Sequence, residues 1–81
     1  MAAHDFSAWH LRPGHLCRIV KRYSNEPRGL SVVGISEIWP RPGDTLRITE
    51  REDGTHDWRV EEVAPSKTPG ATWSALLSEI P

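Results

Sequence analysis

The clearest pattern in the chain is an alternation of polar and apolar residues from Thr45 to Arg51. It is followed by Asp53-Gly54 and then by a second alternating run from Thr55 to Val60. A period of two is the strand period, because successive side chains of an extended backbone point to opposite faces. Asp-Gly between two such runs predicts a β-hairpin. Leu46, Ile48, Trp58 and Val60 then share the inner face. Arg47, Thr49, Arg51, Arg59 and Glu61 line the outer one, where cross-strand ion pairs can form. Glu61-Glu62 breaks the alternation before Val63, which predicts a bulge or a strand end.

Earlier in the chain the alternation is looser. His15 to Tyr23 interleaves Cys17, Ile19, Val20 and Tyr23 with Arg18, Lys21 and Arg22, and predicts a half-buried strand. Ser24 to Gly29 is a loop. Leu30 to Trp39 is apolar on both faces, with Leu30, Val32 and Ile38 on one and Val33, Ile35 and Trp39 on the other. That predicts a central strand, with Gly34 as a bend or bulge. Pro42-Gly43 suits the centre of a type II turn. At the start, Asp5 can cap a short helical turn that carries Phe6, Trp9 and His10, and Pro13-Gly14 ends it. Near the end, Thr68-Pro69 reads as a helix start. Trp73, Leu76, Leu77 and Ile80 follow at i, i+3, i+4 and i+7, an amphipathic helical stripe.

The expected architecture is a mainly β single domain over residues 1–81. Residues 1–14 form an arm or helical turn, 15–64 a sheet or barrel, and 68–80 a C-terminal amphipathic helix. Short strands joined by tight turns predict a small four- to five-stranded SH3-like or OB-like barrel, or a curled antiparallel sheet.

Composition narrows the function classes. The chain has 81 residues, 37% of them hydrophobic and 26% charged. Its four tryptophans, Trp9, Trp39, Trp58 and Trp73, argue for a folded core, because disordered chains are poor in large aromatics. Trp58 and Trp73 fit core stripes. A single cysteine, Cys17, excludes an internal disulfide and points to a reducing, cytoplasmic setting in its own or a host cell. No basic-apolar leader and no long apolar run is visible, so no membrane association is expected. Charge is uneven: the first 43 residues hold six Lys/Arg against three Asp/Glu, the remainder four against eight. An electrically two-sided chain suits contacts with other macromolecules.

No catalytic signature is present: no nucleophile elbow, no zinc-protease helix, no phosphate loop. A barrel this small leaves little room for a water-excluding pocket, and the expectation is a non-enzyme without cofactor. His15 and Cys17, two residues apart on one strand face, are weak metal candidates together with His56; His4 and His10 are further imidazoles. The paired spacings of zinc sites are missing, so no metal is expected. The leading expectation is therefore a protein–protein interaction module. Such a chain would be a small adaptor or assembly component, viral assemblies included, or an inhibitor of a larger protein complex. Trp, Tyr and Arg are the usual interface anchors. Trp9 and Trp39, which flank Pro/Gly turns, and Arg18, Lys21, Arg22 and Arg41 are the candidate partner-binding residues. The alternative is a nucleic-acid-binding barrel that uses the basic first half, with Tyr23 and Trp39 as stacking platforms. The acidic second half opposes it.

Overall fold

The computed structural model describes residues 2–7, 14, 16–24, 28–50 and 54–80. Among these described residues six strands are present: β1 (Ala3–Asp5), β2 (Leu16–Tyr23), β3 (Gly29–Ile35), β4 (Thr45–Glu50), β5 (Gly54–Pro65) and β6 (Trp73–Glu79). They make one sheet in the order β1-β4-β5-β6-β3-β2. All neighbours are antiparallel except β1 and β4, which run parallel. The sheet is curled into a half-barrel. Two contacts across the curl mark this: Phe6, at the β1 edge, packs edge-on against Trp73 of central β6, with ring centroids 5.8 Å apart. Arg22, on the opposite edge strand β2, pairs with Glu50 of β4.

The hairpin reading holds. Leu46 faces Trp58 and Ile48 faces His56 across β4–β5, and Leu46, Ile48, Trp58 and Val60 are buried. Arg47 bonds Asp57 on the outer face, with Nε to Oδ1 at 2.9 Å. The broken alternation at Glu61-Glu62 is a bulge: the register with β6 shifts between Val60 and Glu62. With Phe6, Leu30, Val32, Trp73, Ala75 and Leu77 these residues make one core inside the curl. Trp73 sets its shape. A Cβ at Gly34 would lie 2.3 Å from its Cζ2 atom and 2.8 Å from the Leu16 carbonyl oxygen. Gly34 is thus the place where a strand gives up its side chain to admit an indole, rather than a bend.

The expected C-terminal helix over 68–80 is not formed; the segment is a turn followed by β6. Thr68-Pro69-Gly70-Ala71 is a type II turn, closed by the Ala71 N–H on the Thr68 carbonyl, with Gly70 at φ +85°. Arg41-Pro42-Gly43-Asp44 is the same device, as its sequence predicts. Trp73, Ala75 and Leu77 then point inward at period two, while Leu76 is 40% exposed. The stretch satisfies both periods, and a short helix is marginal alone. As a strand it pairs along both edges, with β3 and β5, which decides the matter.

The N-terminal segment differs as well. In place of an arm or capped helical turn, Ala3–Asp5 is a strand and Phe6 is a core residue. Trp9, His10 and Arg12 lie outside the described residues. The six strands thus exceed the expected four or five by β1 and β6. Among the described residues no helix is long and apolar enough to cross a membrane.

Candidate functional site

Strand direction gives the half-barrel two ends. β2, β4 and β6 run toward one, here called the mouth, which collects Tyr23, Glu50 and Glu79 with the starts of β3 and β5. The other end carries the loop from Ser36 to Asp44.

That loop presents apolar side chains outward. Ile38 is 72% exposed and Trp39 39%, whereas the neighbouring Pro40 is fully buried. The backbone beneath them is pinned. Ser36 Oγ accepts the Trp73 Nε1–H at 3.0 Å and donates to the Ile38 carbonyl at 2.7 Å. At the far side, the buried Asp44 carboxylate accepts the Ala2 and Arg41 N–H groups at 3.0 and 2.9 Å, and the His4 Nε2–H at 2.8 Å. Burial pushes the Asp44 carboxyl up, but these three donors outweigh it and hold it down at about 2. The Gly43 N–H and Asp44 carbonyl both bond Val60 of β5. The loop is therefore fixed to β1, β5 and β6, and its apolar tip is offered to solvent by a rigid frame.

The basic candidates are dispersed. Arg41 shares the loop with Trp39 and is exposed. Arg18 and Lys21 stand on the outer face of β2, opposite Val33 and Ser31. The Lys21 ammonium lies 5.2 Å from the centre of the exposed Tyr23 ring. Arg22 falls on the other face, opposite Leu30, and is paired with Glu50. Trp9 lies outside the described residues.

Metal ligation gains no geometric support. Cys17 shares a row with Gly34, Trp73 and Pro65, and His56 lies nine positions before Pro65 on β5. The two are not brought together, and His15 lies outside the described residues. Among the described residues no group of three or more His, Cys, Asp or Glu could hold a metal. Burial pushes the Cys17 thiol up to about 12, so it packs beside the core as a protonated, unreactive group.

The mouth holds a cavity of about 320 Å³ that the sequence reading did not anticipate. Arg22, Tyr23, Arg28, Leu30, Glu50 and Trp58 are among the residues that line it. Glu50 is the missed signal: it shares parity with Leu46 and Ile48, which places a carboxylate on the inner face. Ser36 and Asp44 carry no such signal, because their roles depend on contacts with β6 and β1, far away in the chain; Ile38 and Trp39, expected in a strand over Leu30 to Trp39, lie instead on the loop that follows β3, which ends at Ile35.

No family model, curated protein or solved structure matches this chain.

Proposed function

We propose that this chain is a non-enzymatic protein–protein interaction module that docks through the Ile38-Trp39 tip, with Arg41 as a charged flank. The observation that carries this reading is the exposure of two large apolar side chains on a loop that is tied to β6 through the Ser36 hydroxyl, to β1 through the Asp44 carboxylate and to β5 through its backbone. A preordered aromatic anchor loses little conformational freedom on binding, so more of its burial counts toward affinity. The complementary partner offers an apolar groove for the indole and an acidic group for Arg41. Within a larger assembly, the chain would act as an adaptor or an inhibitor.

Nucleic-acid binding is the second reading. Arg18, Lys21 and Tyr23 share the outer face of β2, an arrangement suited to phosphate contact and base stacking. It is weaker because Arg22, Arg28 and Arg47 are each paired with a carboxylate, which compensates much of the positive charge.

The test is capture of partners from native lysate, with and without nuclease, by the parent chain, Trp39→Ala and the pair Arg18→Ala/Lys21→Ala. The expected result is a stoichiometric protein that survives nuclease, is lost with Trp39→Ala and is kept by the β2 pair. Recovery that vanishes with nuclease, or follows the β2 pair instead, would replace this reading by the second. Circular dichroism confirms that each variant is folded.

A further inference from the structure

Among the described residues, β2 is the long free edge of the sheet. Its eight residues pair with β3 on one side, and no described strand lies on the other. The opposite edge is shorter: β1, of three residues, caps β4 from Thr45 to Arg47. An edge strand presents a row of backbone N–H and C=O groups that water satisfies until another extended chain replaces it. β2 is open to solvent. Arg18, Val20, Lys21, Arg22 and Tyr23 are exposed, Val20 to 58%. Cys17 and Ile19 pack against the core yet stay half-buried.

Charge decides what can lie along this edge. β2 carries Arg18, Lys21 and Arg22 and no acidic residue. Arg22 falls on the inner face and meets Glu50. Arg18 and Lys21 stand on the outer face beside the uncharged Val33 and Ser31, and neither forms an ion pair among the described residues. A second copy would set this basic strand against itself, and like charges directly opposite destabilise a strand pair. The register shift between Ile19 and Lys21 leaves Val20 out of the pairing with β3. Such bulges, together with charged side chains, guard an edge against strands of its own kind. An acidic strand meets no such opposition from the charges. A nucleic acid would answer the two cations, but it lacks the alternating donors and acceptors that match a strand ladder.

We propose that β2 accepts an added strand from a protein partner, an extended segment that alternates acidic and apolar residues. Its backbone completes the ladder on the free edge. Its carboxylates lie on the outer face beside Arg18 and Lys21, and its apolar side chains cover Cys17 and Ile19 on the inner one. This surface shares no residue with the Ile38-Trp39 tip and does not depend on it.

The experiment titrates the full chain with acetyl-Thr-Glu-Val-Glu-Val-Glu-Thr amide, followed by ¹H–¹⁵N spectra and amide hydrogen exchange. The comparison probes are the same peptide with Lys for each Glu, acetyl-Glu-Pro-Glu-Pro-Glu-Pro amide, and oligo-dT. The proline peptide keeps the charge but cannot form a continuous ladder. The expected result is saturable binding of the alternating acidic peptide, with slowed exchange of the β2 N–H groups that do not face β3. The lysine and proline peptides should bind much more weakly. Arg18→Glu/Lys21→Glu changes two exposed positions; it should weaken the acidic peptide about tenfold and make the lysine peptide the better ligand. Circular dichroism confirms that the double variant is folded. The proposal is overturned if the acidic peptide does not saturate or leaves β2 exchange unchanged. It is overturned equally if the proline peptide binds as well, which would mean charge attraction without strand addition, or if the folded double variant keeps the parent's preference. Tighter binding of oligo-dT than of the acidic peptide would assign β2 to nucleic acid instead.

Discussion

Asp44 shows how much one side chain can organise. It joins the start of β1 to the turn before β4 by accepting two backbone N–H groups and the His4 ring. Its carboxyl is held at about 2, below the ordinary value of 3.8. A depressed carboxyl stabilises the fold fully above its unfolded value, and that contribution disappears as pH falls through the folded one. Asp57 and Glu79 are lowered too, chiefly by side-chain hydrogen bonds from Arg47 and Arg28, and add in the same direction. Stability should hold near neutral pH and fall between about pH 4 and pH 2. Urea midpoints measured across that window check this, and Asp44→Asn should flatten the dependence. At the alkaline end the sign reverses for Cys17: an unfolded thiol ionises before the buried one, so stability declines above the ordinary thiol value of 9.0. Of these features the sequence announces only the residue types. Nothing in the order of residues says that Asp44 will face Ala2 and His4, because those partners lie some forty positions away.

At the scale of elements, the β4–β5 hairpin and β6 make opposite cases. The hairpin was legible because its strands are neighbours in sequence, its alternation is strict and its inner residues are large. β6 was not. Trp73, Leu76, Leu77 and Ile80 have helical spacing, while Trp73, Ala75 and Leu77 have strand spacing, and Ala75 is too small to advertise its inward position. The two arrangements bury different residues, and substitution separates them. Leu76→Ser should change stability by no more than about 0.5 kcal/mol, because an outward strand position has little to lose. Ala75→Leu should destabilise by about 1–3 kcal/mol through overpacking. Chemical denaturation of the two variants would show the reverse order if the helical stripe were the buried one. Gly34 belongs to the same scale: it read as a local irregularity of β3, yet its reason is the ring of Trp73 on the strand beside it.

For the whole molecule, closure of the core depends on the first strand. β1 extends the sheet beyond β4, and Phe6 behind it sets its ring on Trp73 across the curl. Phe6→Ala should therefore cost about 3–5 kcal/mol, the range for a buried aromatic, although the residue sits near the start of the chain. A thermal melt compared with the parent tests this; a change within error would mean that the half-barrel is complete without β1. The two ends of the half-barrel are also separate in composition. The apolar tip of the Ser36–Asp44 loop and the cavity at the mouth are built from different residues, so a variant at one end should leave the other intact.

The sequence by itself determined the β class, the hairpin with its inner face, the break in alternation at Glu61-Glu62 and the Pro42-Gly43 turn. These depend on period and turn chemistry within a few residues of one another. It also placed Trp58 and Trp73 in the core, because large apolar groups gain most by leaving water. Tertiary structure alone decided that β6 is a strand, that Gly34 must lack a side chain, that Asp44 and Ser36 brace the Trp39 loop, and that Glu50, Arg22 and Trp58 meet around a cavity. Each of these rests on a pairing between residues distant in the chain. Such pairings form only when the sheet curls and the unpaired edges and donors of one segment find their complements in another.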